Sequence, residues 1–361
     1  MHPSEPFPHF VDDYLAYLQE VLPGQASLDG VHLHDDLLED LSRPGIDNHV
    51  RALAGFSRRL NQIDASHLTP VEQTERAVVA ANVEARMYDL EVVRTWDRSP
   101  QMYADTIGIG LAGQALFGYA PEAERARRVV SKLRQVPRLV QAARDNIKES
   151  PGIFVKTGLE SWRGVLSFIE KDLPKAFASL DDLHILGDLA DTATEAATAV
   201  SSYIGYLETD LAPRAKASFR LGRERFEQKL KLDEGISLSA DRLLSIAMRE
   251  LHEVQEEFRR VAGRLNGSDP IEAWRHAKEQ HPEPGTLVAT AQQQVEELEK
   301  FLQRQAIVSM PASEPVVVAP SPEFYRWAFA SMWTPGPFES KPSRAYYYLT
   351  DVLRSWTPER Q

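Results

Sequence analysis

The residues best suited to chemistry fall in three short runs. His32, His34, Asp35 and Asp36 cluster near the N-terminus, and imidazole and carboxylate are donors that a divalent metal accepts. In extended chain the alternation His32-Leu33-His34 aims both rings one way. The run follows Gly30, however, where histidines and aspartates usually serve as caps and turn residues, and that is the preferred reading. His252-Glu253-Val254-Gln255-Glu256 begins like the zinc-protease helix, which needs a second His at i+4 so that both rings reach one metal. Position 256 is Glu and the run is flanked by Glu250 and Glu257, so a solvated charged face is the better account. Glu272 and His276 share a helical face in the same unremarkable way. Gly108-x-Gly110-x-x-Gly113 matches the dinucleotide loop, which requires a preceding strand and a helix opening on a pyrophosphate. Here Ser99-Pro100 has already opened a helix that Met102, Tyr103, Ile107 and Leu111 continue, so the glycines are expected to allow close helix packing. The chain has no Gly-x-Ser-x-Gly elbow, Ser-x-x-Lys dyad or Gly-x-x-x-x-Gly-Lys loop. No catalytic residue and no metal ligand is assigned.

Composition narrows the partners. Zero cysteines exclude disulfides, thiolate nucleophiles, iron–sulfur clusters and Cys-based zinc sites within this sequence. A net charge of −12 opposes binding to a phosphate backbone, so nucleic acid is not expected as a partner. The basic stretch Arg125, Arg127, Arg128, Lys132, Arg134 and Arg138 is read as a solvated helix face. No segment is apolar for long enough to span a membrane, and Met1 to Pro8 does not read as a secretory signal. With Met1 as the start, a cytoplasmic location is expected.

The elements that must position these residues are helices. Phe7, Phe10, Tyr14, Leu18 and Val21 share one face of a helix ended by Pro23, and Val50, Leu53, Phe56, Leu60 and Ile63 repeat the period. Thr69-Pro70-Val71-Glu72 carries the pattern of a capping box with proline in the first turn. Ser99-Pro100, Asp269-Pro270 and Ser321-Pro322 repeat the cap-then-proline device. From Ala240 to Leu265 the residues Leu243, Leu244, Ala247, Met248, Leu251, Val254, Phe258, Val261 and Leu265 form an apolar stripe opposite a charged face, and Leu287 to Leu302 reads similarly. After Ala306 the texture changes. Ile307 to Met310 and Val316-Val317-Val318 are β-branched runs among prolines, and Tyr346-Tyr347-Tyr348-Leu349 is strand-like. The prolines flanking Val316 to Val318 suit an edge strand, whose outward groups can pair with an extended peptide or be covered by the rest of the protein. The fold class is therefore mainly α, with a small β-sheet near the C-terminus.

Taken in order, several stretches resemble the bacterial family called domain of unknown function 885. They are Pro23-Gly24-Gln25-Ala26 with Asp29-Gly30, Asp36 and Asp40-Leu41-Ser42; Trp96-Asp97-Arg98-Ser99-Pro100 with Tyr103; Val136-Pro137 with Ala142-Ala143-Arg144-Asp145-Asn146; and Phe219-Arg220-Leu221-Gly222 with Phe226 and Leu230. Trp333-Thr334-Pro335-Gly336-Pro337-Phe338 and Tyr346 to Leu349 continue the likeness toward the end. The family is similar to zincin-type metallopeptidases. The resemblance implies a large helical body over residues 1–306 and, over 307–361, the start of a small mixed α/β catalytic-type subdomain. It also implies a later helix bearing His-Glu-x-x-His, whose histidines hold zinc and whose Glu is the general base. The sequence stops at Trp356-Thr357-Pro358-Glu359-Arg360-Gln361, before such a motif. The expectation is an N-terminal portion of a zinc-dependent peptidase-like hydrolase, inactive alone, with zinc and a peptide-like substrate belonging to the complete protein. Val316, Val317 and Val318 are then a candidate peptide-pairing strand, and Tyr346, Tyr347 and Tyr348 a neighbouring strand or cleft wall. The alternative is a non-catalytic helical scaffold or peptide-binding protein.

Overall fold

The computed structural model describes residues 6–266, 269–283, 285–309, 316–322, 326, 328–340 and 344–352, without the side chains of 265 and 266. Its helices are α1 (Phe7–Val21), α2 (Pro23–Leu28), α3 (Arg43–Gln62), α4 (Pro70–Tyr88), α5 (Pro100–Leu116), α6 (Glu122–Asn146), α7 (Gly152–Ser167), α8 (Leu173–Ala176), α9 (Leu183–Tyr206), α10 (Ala212–Arg214), α11 (Arg223–Glu234), α12 (Ala240–Asn266), α13 (Pro270–Lys278) and α14 (Leu287–Gln305). Three strands follow: β1 (Val317–Pro320), β2 (Ala330–Trp333) and β3 (Tyr346–Leu349).

Local chemistry explains the helix starts. Thr69 and Glu72 form the reciprocal capping box at the head of α4, satisfying amide donors that have no carbonyl partner in a first turn. Asp269 accepts from Ile271 N–H at α13. Pro23 ends α1 and also opens α2, and Ser99 precedes α5 without a side-chain cap, so there the proline ring sets the start. Gly108, Gly110 and Gly113 lie buried within α5. A Cβ on Gly110 would stand 2.6 Å from Leu38 Cδ2, so this glycine permits close packing, as the sequence reading expected.

Two cores form the body. The larger gathers Tyr103, Ile107, Leu133, Trp162, Phe168 and Leu207 from α5 to α9 and the segment after α9, and the smaller joins α1, α3 and α4 through Phe10, Tyr14, Leu53 and Phe56. The basic stretch on α6 divides: Arg127, Arg134 and Arg138 are exposed, as the solvated-face reading expected, whereas Arg125, Arg128 and Lys132 depart from it. Lys132 is fully buried and gives its Nζ to Gly110 O at 2.8 Å. Arg125 reaches the carbonyls of Gln114 and Ala120, and Arg128 turns inward. These charges are spent on backbone carbonyls and carboxylates inside the body.

The small sheet has the order β1-β3-β2, with β1 parallel and β2 antiparallel to the central β3. Val317 pairs with Tyr346 and Val318 with Tyr347. The sheet packs on α14 through Val318, Leu349 and Ala291. Residues 307–309 form no strand, contrary to the reading of Ile307 to Met310. The left-handed Ala306 (φ 50) ends α14, and Ile307 and Val308 stay exposed; Met310 lies outside the described residues. Residues 323–325 after Ser321-Pro322 and the terminal Trp356 to Gln361 also lie outside them. The stripe on α12 has the expected period yet lacks cover among the described residues: Leu244, Met248, Leu251, Val254, Phe258 and Val261 are all exposed.

Candidate functional site

Two glycines build the most closely fitted polar site. Gly30 has φ +89, and a Cβ there would lie 2.4 Å from Glu339 N. A Cβ on Gly336 would lie 2.1 Å from the carbonyl carbon of Asp29. The loop after α2 and the loop after β2 therefore touch backbone to backbone, joined by Phe338 N–H donating to Asp29 O at 2.9 Å, an approach that no larger residue permits. This clasp sets Glu339 over His32. Trp333, leading into the second loop, stacks on Phe117 beyond the end of α5 and meets Tyr348 edge-on.

His32 occupies the centre. Its Nδ1 lies 2.8 Å from Asp35 Oδ2 and its Nε2 lies 3.2 Å from Glu339 Oε1, while its ring stacks on Tyr119 at 3.7 Å and an angle of 7°. Asp35, only 1% exposed, gathers further donors on the same oxygen: Tyr119 OH at 2.6 Å and Arg128 Nη1 at 2.8 Å. Arg128 also donates to Tyr119 OH at 2.9 Å and to Glu124 Oε1 at 2.5 Å. Burial pushes the Asp35 carboxyl up, but the bonds from His32 and Tyr119 outweigh it and hold the group well below the usual carboxylate range. Burial alone would lower His32; Asp35 and Glu339 on either side raise it instead. Tyr119 is raised by burial and by the Asp35 charge. A crevice of only about 10 Å³, room for about one water, opens beside His32, Tyr119 and Glu339.

The turn-residue reading is thus corrected for His32, which stands outside the turn of residues 33–36, and is incomplete for Asp35, which lies within that turn but does more than shape it. His34 does belong to a turn, where its carbonyl accepts from Leu37 N–H, but His32 and Asp35 recruit partners from α6, from the segment before it and from the C-terminal loop. Sequence reasoning missed Tyr119, Arg128 and Glu339. A trace existed for the last, since Asp29-Gly30 and Pro335-Gly336-Pro337-Phe338 were both singled out; the structure shows them to be two halves of one clasp. The arrangement suits holding more than metal ligation. Both imidazole nitrogens face carboxylates, and no group of three His, Cys, Asp or Glu among the described residues fits a metal ion. His252 pairs with Glu256 at 3.3 Å on an exposed face of α12, as read.

The candidate strands sit as follows. β1 and β2 are the two edges of the sheet, and Tyr346 to Tyr348 lie on central β3. Val316 directly precedes β1. Val318 N–H turns away from β3 and donates to Gln292 Oε1 of α14 at 2.9 Å. Tyr346 meets Phe117 edge-on and stacks on Tyr348.

The sequence profile described as bacterial protein of unknown function (DUF885) matches residues 23–361. The chain belongs to the DUF885 family. Among solved structures, a candidate lipoprotein of unknown function from Shewanella oneidensis is 24% identical with a TM-score of 0.71; the match covers 99% of this chain and 66% of that one. A candidate lipoprotein from Colwellia psychrerythraea is 12% identical with a TM-score of 0.73, over 97% of this chain and 68% of that one. These likenesses concern the fold, and this DUF885 chain spans about two thirds of each of those structures. No curated protein matches it. Among its described residues no helix is long and apolar enough to cross a membrane.

Proposed function

We propose that this chain forms the front portion of a zinc-dependent peptidase-like hydrolase and holds no catalytic centre by itself. The observation that carries the reading is the bare seam of α12. Leu244, Leu251 and Phe258 recur every seventh residue, with Ala247, Val254 and Val261 three places after each, which is the spacing that seats one helix against another. Large apolar side chains left between 40% and 64% exposed along that seam call for a covering polypeptide. The two similar structures are longer than this chain, which spans 66% and 68% of them. By the resemblance to zincin-type peptidases, the metal, its ligands and the general base belong to a portion that follows, and no chemical step is derived from this chain.

Within that reading Val316 to Val318 form one wall of a peptide cleft, with Tyr346 to Tyr348 behind. A peptide adding to β1 takes over Val318 N–H from Gln292, so the glutamine acts as a displaceable cap on the edge. The candidate lipoproteins among the similar structures favour an envelope location over the cytoplasmic one expected from Met1, which membrane fractionation of cells expressing the native gene decides. Translating the DNA downstream of codon 361 tests the central proposal. A His-Glu-x-x-His segment within a few dozen codons is the expected outcome, and a stop followed by unrelated sequence defeats it. The purified chain is expected to hold no stoichiometric zinc after dialysis against a weak chelator.

A further inference from the structure

His32 stands between two carboxylates from opposite ends of the chain. Asp35 of its own turn lies 2.8 Å from Nδ1, and Glu339 of the loop after β2 lies 3.2 Å from Nε2. Tyr119, from the segment before α6, stacks on the ring. Behind Asp35 stand Arg128, which bonds to it, and the positive charge of Lys132, both on α6. A carboxylate only accepts, whereas a neutral imidazole has a single N–H to give. The imidazolium therefore satisfies both neighbours, and the neutral ring satisfies one while turning a lone pair on the other.

The two contacts differ in their freedom to yield. Asp35 is 1% exposed and keeps the Tyr119 and Arg128 donors whatever the state of the ring. Glu339 stands on a loop, and His32 is the one partner of its carboxylate among the described residues. We propose that His32 is a proton-operated latch between the helical body and the small sheet: as imidazolium it ties Asp35 to Glu339, and on losing its proton it keeps Asp35 and releases the loop after β2. That loop joins β2 to β3, whose Trp333 and Tyr346 rest on Phe117 of the body, so its release loosens the docking of the sheet. Burial alone lowers His32, but Asp35 and Glu339 outweigh it and raise the group above its ordinary value of 6.5. The latch is thus closed in mild acid and opens as pH rises through that raised value. Every part of it lies in this chain, so it stands independently of the peptidase-like reading.

Amide exchange on the full purified chain tests the latch, with rates corrected for the intrinsic effect of pH and His32 followed in parallel by NMR of its ring Cε1–H. Between about pH 5.5 and 8.5, protection at Phe338 N–H, which bonds to Asp29 O across the clasp, is expected to fall about tenfold or more. Its midpoint should coincide with the His32 titration, while amides in the middle of α6 keep their protection. Glu339→Gln is the decisive variant. Its carbonyl accepts from the imidazolium and its amide donates to the neutral ring, so protection at Phe338 should change by less than about twofold over the same range. His32→Gln removes the titrating ring and should likewise abolish the pH dependence. The proposal is overturned if protection in the parent is the same at both ends of the range, or if its midpoint lies more than about one pH unit from that of His32. It is equally overturned if Glu339→Gln loses protection as the parent does.

Discussion

Asp35→Asn removes one negative charge from a site where three groups depend on it and changes the side-chain shape very little. The carboxylate is 1% exposed and accepts from His32, Tyr119 and Arg128 on one oxygen. Breaking a buried ion pair outright costs about 3–5 kcal/mol. Two features reduce the figure here: asparagine keeps a carbonyl acceptor, and Arg128, about one-fifth exposed, retains Glu124. A loss of about 2–3 kcal/mol is expected, or roughly 30- to 160-fold in the unfolding equilibrium. The pH dependence supplies the sharper test. The depressed Asp35 contributes stability that is present above its unfolded value near 4 and lost as pH falls through the folded one; the raised His32 contributes stability that is present below about 6.5 and lost as pH rises through its folded value. The difference between parent and variant in urea unfolding should therefore be greatest near pH 5–6, between those two limits, and shrink toward both pH 3 and pH 9. A difference under about 1 kcal/mol at pH 5.5, or one independent of pH, would refute the account of the network.

Gly336→Ala forces a methyl group into the Asp29 backbone and is expected to cost about 2–4 kcal/mol or to detach the C-terminal loop, read by calorimetry and by hydrogen exchange at Phe338 N–H. Leu251→Glu and Phe258→Glu on α12 replace exposed side chains and should change the stability of this chain by about 0.5 kcal/mol or less while lowering hydrophobic-dye binding; a large destabilisation would mean the seam is already covered. Thr69→Ala dismantles the capping box at α4 and should cost about 1 kcal/mol in thermal unfolding. Gln292→Ala uncaps Val318 N–H, and faster exchange of that amide is the expected result.

Features written in neighbouring residues were legible in the sequence. The α1 boundaries, the Thr69–Glu72 box and the Asp269 cap follow from contacts within a turn or two. β3 was legible from its aromatic run, whereas β2 was not: Ala330-Ser331-Met332-Trp333 carries no β-branched residue and becomes a strand because β3 offers it a ladder. The site fared worse for the same reason. His32 looked like a turn residue because its partners Tyr119 and Glu339, and Arg128 which meets its neighbour Asp35, are remote in the chain. Helical spacing of the α6 cations gave no sign that Lys132 and Arg128 face inward, since Gly110 O and the Asp35 carboxylate that draw them in lie on other elements. On α12 the period was legible, but not whether the apolar stripe had cover.

The clasp also imposes an order on assembly. His32 and Glu339 are separated by 307 positions, so during synthesis the first half of the site waits for nearly the whole chain. At about 5–20 residues per second the delay is roughly 15 seconds to a minute, during which the helical cores have time to form around an imidazole that has met Asp35 but not Glu339. Docking of that loop then registers that the chain has been made through β2, with the central strand β3 still to follow, and any product ending before Gly336 leaves the ribosome with the N-terminal turn unclasped.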